Sequence, residues 1–375
     1  MKWYMNEERE LLQKAFREFA QQRVRPYVDK MEREDVGCRD LLLEMGQLGF
    51  YTFGKPEKWG GAGDDRIPIA LLLEELSRES YTVALSAMIQ HLFLQEIFKD
   101  CSDEQIEKYA VPAMNGELVL GLASCEPNGS MDFANYGTTA VKDGDEWVIN
   151  GNKCLITLVD ISDVFVVTAL VDGKMDPVTF DGYASFIVPA NTPGVTFGHI
   201  EKKVGWHGSR TGTVYFNDVR IPAENKTANP MYLGPALGLG GWYGAMDLGG
   251  AEVCIEKAVN ILKNREQNGA TLWDSHEVIR NNVAELLIKV KNFRNSVYGL
   301  MADLSIGEAN LADDYAVKIE GVKLLRDISH ECMTLAGGMG MIYETGIERY
   351  YRDSVISDVA CCSSKTALSW IAATI

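Results

Sequence analysis

The spacing of apolar residues changes twice along this 375-residue chain, and the order helix, strand, helix constrains the fold more than any single motif. Leu11, Leu12, Phe16, Phe19, Ala20 and Val24 recur at steps of three and four, which predicts an amphipathic helix over 6–33, bent or interrupted at Pro26. Helical patterns follow over Asp40–Leu48 (stopped at Gly49), Pro68–Arg78, Tyr81–Phe98 and Asp103–Tyr109. Near 117 the texture becomes that of strands: Val164–Val171, Tyr183–Val188 and Thr213–Ile221 are rich in Val, Ile, Tyr and Phe. Breaks at Asp172-Gly173, Asp181-Gly182 and Thr192-Pro193-Gly194 separate them, and Asn150-Gly151 between two strand-like runs predicts a hairpin. Beyond Pro222 a loop carries Gly234, Gly238, Gly240, Gly241 and Gly244. A stripe from Val278 through Val283, Leu286, Val290 and Val297 to Met301 then predicts a long helix, and a further one over Asp313–Leu335 is stopped by Gly337-Gly338. The expectation is an α+β protein, mainly α, in three parts. These are a helical domain over 1–115, an antiparallel β-barrel or sandwich over 116–225 and a four-helix bundle over 226–375.

Charge and cysteine usage bound the partners. A formal charge of −17 opposes binding to nucleic acid or to an anionic membrane. There is no basic-then-apolar leader and no apolar run near the ~18 residues of a spanning helix, so neither secretion nor spanning is expected. Cys38, Cys101, Cys125, Cys154, Cys254, Cys332, Cys361 and Cys362 are scattered without paired C-x-x-C spacing. That argues against a zinc site and a disulfide framework; no metal is expected, and a reduced, cytoplasmic compartment is.

Few stretches look built for a ligand. Within Leu122–Ala140, Cys125-Glu126-Pro127-Asn128-Gly129-Ser130 combines small residues, exposed amides and a rigid Pro. Such a loop lets main chain approach a planar or phosphorylated ligand, and it is equally the composition of an ordinary surface turn. The glycine-rich Pro56–Gly63 reads as a turn. His91 lies in the apolar run Ala84–Leu94, where a satisfied core histidine is a commoner outcome than a base or ligand.

Five segments, in order, give the chain a family resemblance. They are Ala123-Ser124-Cys125-Glu126-Pro127 through Thr138-Thr139-Ala140; Ile149-Asn150-Gly151-Asn152-Lys153 with Ile156-Thr157; and Lys203-Val204-Gly205-Trp206-His207-Gly208-Ser209 with Val214–Pro222. Asn264-Arg265-Glu266-Gln267-Asn268-Gly269 follows, and then Leu335–Gly340 with Glu348-Arg349-Tyr350-Tyr351-Arg352-Asp353. Together they resemble the acyl-CoA dehydrogenase family over almost the whole chain. The resemblance implies an FAD enzyme, usually a homotetramer, that oxidises an acyl-CoA thioester across its α,β bond and passes electrons to an electron-transferring flavoprotein. It implies that Cys125, Glu126 and Thr157 lie along the flavin ring, with Ser130 near a phosphate of cofactor or CoA. Arg265 would contact the pyrophosphate of a partner subunit's FAD, and Gly337 and Gly338 would let backbone approach that same FAD. A bland role for Arg265 is a cation at a helix C-terminus.

The departures from the family pattern concern the chemistry. The usual base is a Glu shortly after the Arg-Asp of the last signature; counting from Arg352-Asp353, that position holds Cys361. The alternative position, on the long helix before the Arg turn, falls at Leu239 or Gly240. Leu155 stands where a Trp often packs on the flavin, and Asn268 where the Arg turn has Phe. Three readings compete. An active dehydrogenase could carry a displaced base, first His91 and then Asp247, suited to a cyclic or branched acyl group. A base-independent flavoenzyme could draw its carbanion from loss of carboxylate or a sulfur group. A non-catalytic subunit could pair with an active paralogue in a heterotetramer. Cys361 as a nucleophile is the weakest option, since buried thiols are mostly small core residues.

Overall fold

The computed structural model describes residues 2–128, 135–176, 179–230 and 237–373. Helices α1 (Glu7–Phe19) and α2 (Arg25–Glu34) are joined by a widened turn, Ala20–Val24, in which Arg25 N–H donates to Ala20 O. This is the interruption expected near Pro26, which itself falls in the first turn of α2, where its missing N–H is harmless. Helices α3 (Arg39–Gln47), α4 (Ile67–Glu79) and α5 (Tyr81–Asp100) follow, then the short α6 (Asp103–Gln105) and α7 (Val111–Met114). Both α4 and α5 are buried almost all round, which is why their sequences read as apolar runs rather than stripes. Between them Ser80 caps α5 by accepting from Val83 N–H.

Strands β1 (Leu120–Ala123), β2 (Thr139–Asp143), β3 (Glu146–Ile156), β4 (Val164–Val171), β5 (Tyr183–Pro189), β6 (Val195–Ile200) and β7 (Gly212–Pro222) form one sheet. Among the described residues its order is β1-β4-β2-β3-β7-β6, with β5 on β4. Two features correct the sequence reading. The sheet is mixed rather than antiparallel, because β4 runs parallel to both β1 and β2; alternation along a strand does not report the direction of its neighbour. And β3 passes straight through Asn150-Gly151, where a register shift against β7 marks a bulge and Gly151 takes φ +146. A Cβ on Gly151 would stand 2.6 Å from Thr138 Cα, so the glycine serves close backbone contact, not chain reversal. The reversal comes earlier, from β2 to β3 through Gly144 at φ +62.

A third correction is α8 (Leu239–Asn264), a 26-residue helix that begins inside the segment expected to be loop. Its glycines are contact points. A Cβ on Gly240 would lie 1.7 Å from Asp314 O, and one on Gly249 would lie 2.2 Å from both Glu74 O and Ser77 Oγ. Glycine disfavours a helix locally, yet only glycine lets neighbouring backbones this close, and the packing wins. A small ribbon, β8 (Glu266–Gln267) and β9 (Ala270–Thr271), leads to α9 (Leu272–Ser275), α10 (Glu277–Ile306), α11 (Leu311–Ala336), α12 (Glu348–Val359) and α13 (Ser364–Ala372). Helices α8, α10, α11 and α12 make the bundle, and α8 also packs on α4.

Two polar joints fix the parts together. The buried Glu74 of α4 accepts from Arg294 Nη1 at 2.8 Å and from the Tyr298 hydroxyl at 2.7 Å, both on α10. The loop after β6 docks on α12, where Trp206 N–H donates to Asp353 Oδ1 at 2.6 Å. Among the described residues no helix is long and apolar enough to cross a membrane. None of their His, Cys, Asp and Glu side chains form a group of three or more placed to hold a metal ion.

Candidate active site

The start of α5, the middle of α8 and α11, and the end of α12 meet under the turn that carries Cys361. On α8, Tyr243 and Asp247 are one turn apart and fully buried. The Tyr81 hydroxyl donates to Asp247 Oδ1 at 3.0 Å and accepts from Ser357 Oγ at 2.9 Å. Asp247 Oδ2 has no hydrogen-bond partner and faces Gly321 of α11, where a Cβ would stand 2.6 Å away. Among the described residues no cation forms an ion pair with this carboxyl, and burial raises its pKa to about 8, with the Tyr81 hydrogen bond and Lys318 pulling the other way. Burial thus favours the protonated form of Asp247. Burial also raises the Tyr243 phenol well above its ordinary value, with Cys361, Tyr81 and Asp247 all opposing its ionisation.

Cys361 itself is exposed, in a left-handed conformation at φ +59, with the Tyr243 hydroxyl 3.5 Å from its sulfur. Lys318 of α11 clamps this turn. Its buried ammonium donates to Ala360 O at 2.7 Å and to Cys362 O, and lies 5.0 Å from the Tyr243 ring centre. Tyr81 is in turn stacked on Trp206, with ring centres 6.4 Å apart, which brings the β-sheet domain to the edge of the cluster.

Models of the N-terminal, middle and C-terminal domains of acyl-CoA dehydrogenases match residues 6–117, 121–219 and 242–374. The mitochondrial short-chain specific acyl-CoA dehydrogenase of Homo sapiens is 30% identical over 94% of this chain and 86% of its own. The caffeyl-CoA reductase-Etf complex subunit CarC of Acetobacterium woodii is 29% identical over 93% of each chain. The solved butyryl-CoA dehydrogenase of Megasphaera elsdenii superposes with a TM-score of 0.91 at 26% identity, covering 100% of this chain and 99% of its own.

The chain belongs to the acyl-CoA dehydrogenase family.

Membership makes it an oxidoreductase of CH–CH bonds with FAD as its cofactor, and the residues present fit that group. Arg265, after α8, is exposed, and a Cβ added to Gly337 would stand only 3.3 Å from Arg265 Nη1. Gly337 takes φ +61, and a Cβ on Gly338 would meet nothing within 4 Å. A guanidinium is the donor a pyrophosphate needs, and bare backbone at Gly337 and Gly338 leaves it room, although the Gly337 N–H is itself spent on Thr334 O. At the sheet, Cys154 N–H donates to Cys125 O at 2.9 Å, which lays the loop 122–128 along β3, with Cys125 and Thr157 half-buried. Ser130 lies outside the described residues.

The side chain of Glu126 is engaged within the protein. Its carboxylate turns inward, accepting from Lys153 Nζ at 2.7 Å and from the N–H groups of Gly137 and Thr138. The Glu126 and Lys153 side chains are almost wholly buried. Burial alone would raise the Glu126 pKa, but Lys153 and these donors outweigh it and the net shift is downward. The carboxylate ties the loop to the sheet and leaves the main chain to face a ligand.

His91, the first candidate base, is not in the cluster. It lies about 15 Å along α5 from Tyr81 by helical rise, fully buried, its ring edge-on to Tyr51 at 5.3 Å. Burial, with Lys55 and Arg66 nearby, pushes its pKa well below the ordinary value. The fold thus brings together Asp247 and Cys361 and leaves His91 in the N-terminal core. Tyr81, Tyr243, Ser357 and Lys318 were not singled out from sequence; the Tyr243/Asp247 spacing of four was a legible signal only once α8 was known to be helical. A cavity of about 1020 Å³ opens elsewhere, between α2, α8 and the turn before α12, and none of these candidates lines it.

Proposed function

We propose that this chain interconverts saturated and α,β-unsaturated acyl-CoA thioesters, with its proton step moved from the family's usual carboxylate to the cluster around Cys361, Tyr243 and Asp247. One observation carries the reading. At the family's base position stands an exposed, conformationally pinned Cys361 with the Tyr243 hydroxyl 3.5 Å from its sulfur and Asp247 one turn behind. FAD, when bound, exchanges the hydride at Cβ. Cys125 and Thr157 would face its ring system, while Arg265, Gly337 and Gly338 would hold the pyrophosphate of a neighbouring subunit's FAD. That sharing calls for a tetramer, of this chain alone or with a paralogue.

We read the buried rings of Tyr243 and of the stacked Tyr81 and Trp206 as the wall at the inner end of the acyl site. A short cyclic or branched acyl group suits such a wall better than a long straight chain. An electron-transferring flavoprotein is the partner we assign, in line with the Etf complex that names the Acetobacterium relative. The free cysteines fit work in a reducing cytoplasm.

The test is the visible spectrum of the chain expressed alone, then anaerobic titration with a panel of acyl- and enoyl-CoAs. A yellow protein whose flavin changes redox state with a thioester supports the reading. A colourless protein that takes up no FAD would sink it and leave the missing family Glu as the mark of a subunit whose chemistry resides in a partner.

A further inference from the structure

The family's base is a carboxylate, a group that takes protons. At the corresponding position here stands a thiol, with the Tyr243 phenol beside it. Cys361 carries a thiol and Tyr243 a phenol, Tyr81 is already committed as a donor to Asp247, and Asp247 is sealed from water with no ion-pair partner among the described residues. The charged neighbours do not change this. Lys318, on α11, spends its hydrogen bonds on the carbonyls of Ala360 and Cys362. Asp353, from α12, accepts from Trp206 N–H on the far side of Tyr81. Asp358, three residues before Cys361, accepts from Ser364 Oγ and lies within electrostatic reach of Lys318, which leaves the Cys361 thiol as the group standing at the base position itself.

Resting on the reading above, we propose that the chain is built to reduce α,β-unsaturated acyl thioesters, with the Cys361 thiol as the acid that protonates Cα. The balance is complete. The C=C π bond breaks, and Cβ gains a hydride whose two electrons are delivered by the reduced flavin, recharged by an electron-transferring flavoprotein. Cα gains the proton as the S–H bond breaks. The thiolate left behind accepts a hydrogen bond from the Tyr243 hydroxyl 3.5 Å away and is within electrostatic reach of the Lys318 ammonium, then takes a proton from solvent, to which Cys361 is exposed. Asp247 is a positioning residue. Protonated, it keeps negative charge away from the nascent thiolate while orienting Tyr81. Ionised, at alkaline pH, it opposes that thiolate and should slow the step.

The experiment uses the FAD-loaded protein, with crotonyl-CoA and butyryl-CoA as probes and Asp247→Asn, Tyr243→Phe, Cys361→Ala and Cys361→Glu as variants. Infrared spectra should show a protonated-carboxyl carbonyl band below pH 7 that fades towards alkaline pH and is missing in Asp247→Asn. The photoreduced wild type should be reoxidised by crotonyl-CoA at least tenfold faster than the oxidised form is reduced by butyryl-CoA. Cys361→Ala should lose 100-fold or more of that reoxidation and Tyr243→Phe about tenfold, with Asp247→Asn active and lacking the alkaline decline. Cys361→Glu should regain oxidation of butyryl-CoA. A flavin that exchanges with both probes but faster with butyryl-CoA, or a wild type without the carboxyl band, would overturn the proposal. A flavin silent to every thioester would sink the underlying function as well.

Discussion

Lys55 is a residue whose cost can be read directly. Its ammonium is almost wholly buried, its hydrogen bond is to Phe53 O at 3.3 Å, and burial, with Arg66 adding repulsion, lowers its pKa to about 7. The ordinary value is 10.5. A base depressed on folding binds fewer protons in the native than in the unfolded state across that window, so its contribution to stability falls as pH drops from 10.5 to about 7 and stays lost below. At ~1.4 kcal/mol per unit the gap is on the order of 5 kcal/mol. Lys55→Met should therefore be more stable than wild type at pH 6.5, with the advantage shrinking above pH 9; urea unfolding at the two pH values checks it. Residue identity was enough to suggest a departure: counted along the family pattern, the two base positions fall on Cys361 and on Leu239 or Gly240. It was not enough to separate His91 from Asp247. Both are polar residues in apolar runs, and what distinguishes them is which neighbouring elements they meet: Tyr51 for one, Tyr81 and the turn of Cys361 for the other.

At the scale of elements, most of the helices and the long strands were legible because burial on one face writes a period into the sequence. The failures have local causes. Low intrinsic propensity hid the first turns of α8, whose glycines are explained only by α4, α10 and α11 lying against them. Asn150-Gly151 carries a turn's composition but sits in a bulge, because Thr138 crowds the backbone there. Gly249→Ala tests the packing account. In an isolated helix the change would stabilise by about 1 kcal/mol. Against Glu74 O and Ser77 Oγ at 2.2 Å it should instead destabilise by several kcal/mol, read from the midpoint of thermal or urea unfolding. The control is Gly299→Ala on α10, where a Cβ meets nothing within 4 Å and a modest gain is expected.

Over the whole molecule, the three-part order and its family resemblance were visible in the sequence, whereas sheet direction and the way the parts dock were not, since both depend on contacts between distant segments. The cofactor reading gives a test at this scale. Arg265 is exposed on one subunit and assigned to the FAD of another, so Arg265→Ala should weaken FAD retention by 10-fold or more while leaving the fold of the single chain intact. Flavin content after gel filtration, read beside circular dichroism and the elution volume of the assembly, checks it. Loss of helical signal along with flavin would contradict the assignment.

The glycines of α8 also carry an evolutionary consequence. A one-base change in a glycine codon that alters the residue always yields a larger side chain, and at Gly240 or Gly249 every such product collides with main-chain atoms of another helix, atoms that no second substitution can shrink. Compensation is barred at these sites in a way it is not for a pair of packed side chains. Lineages descending from this gene can rework Tyr243 and Asp247 of the proposed cluster step by step, but the helix that presents them is free to diverge mainly on its outer face.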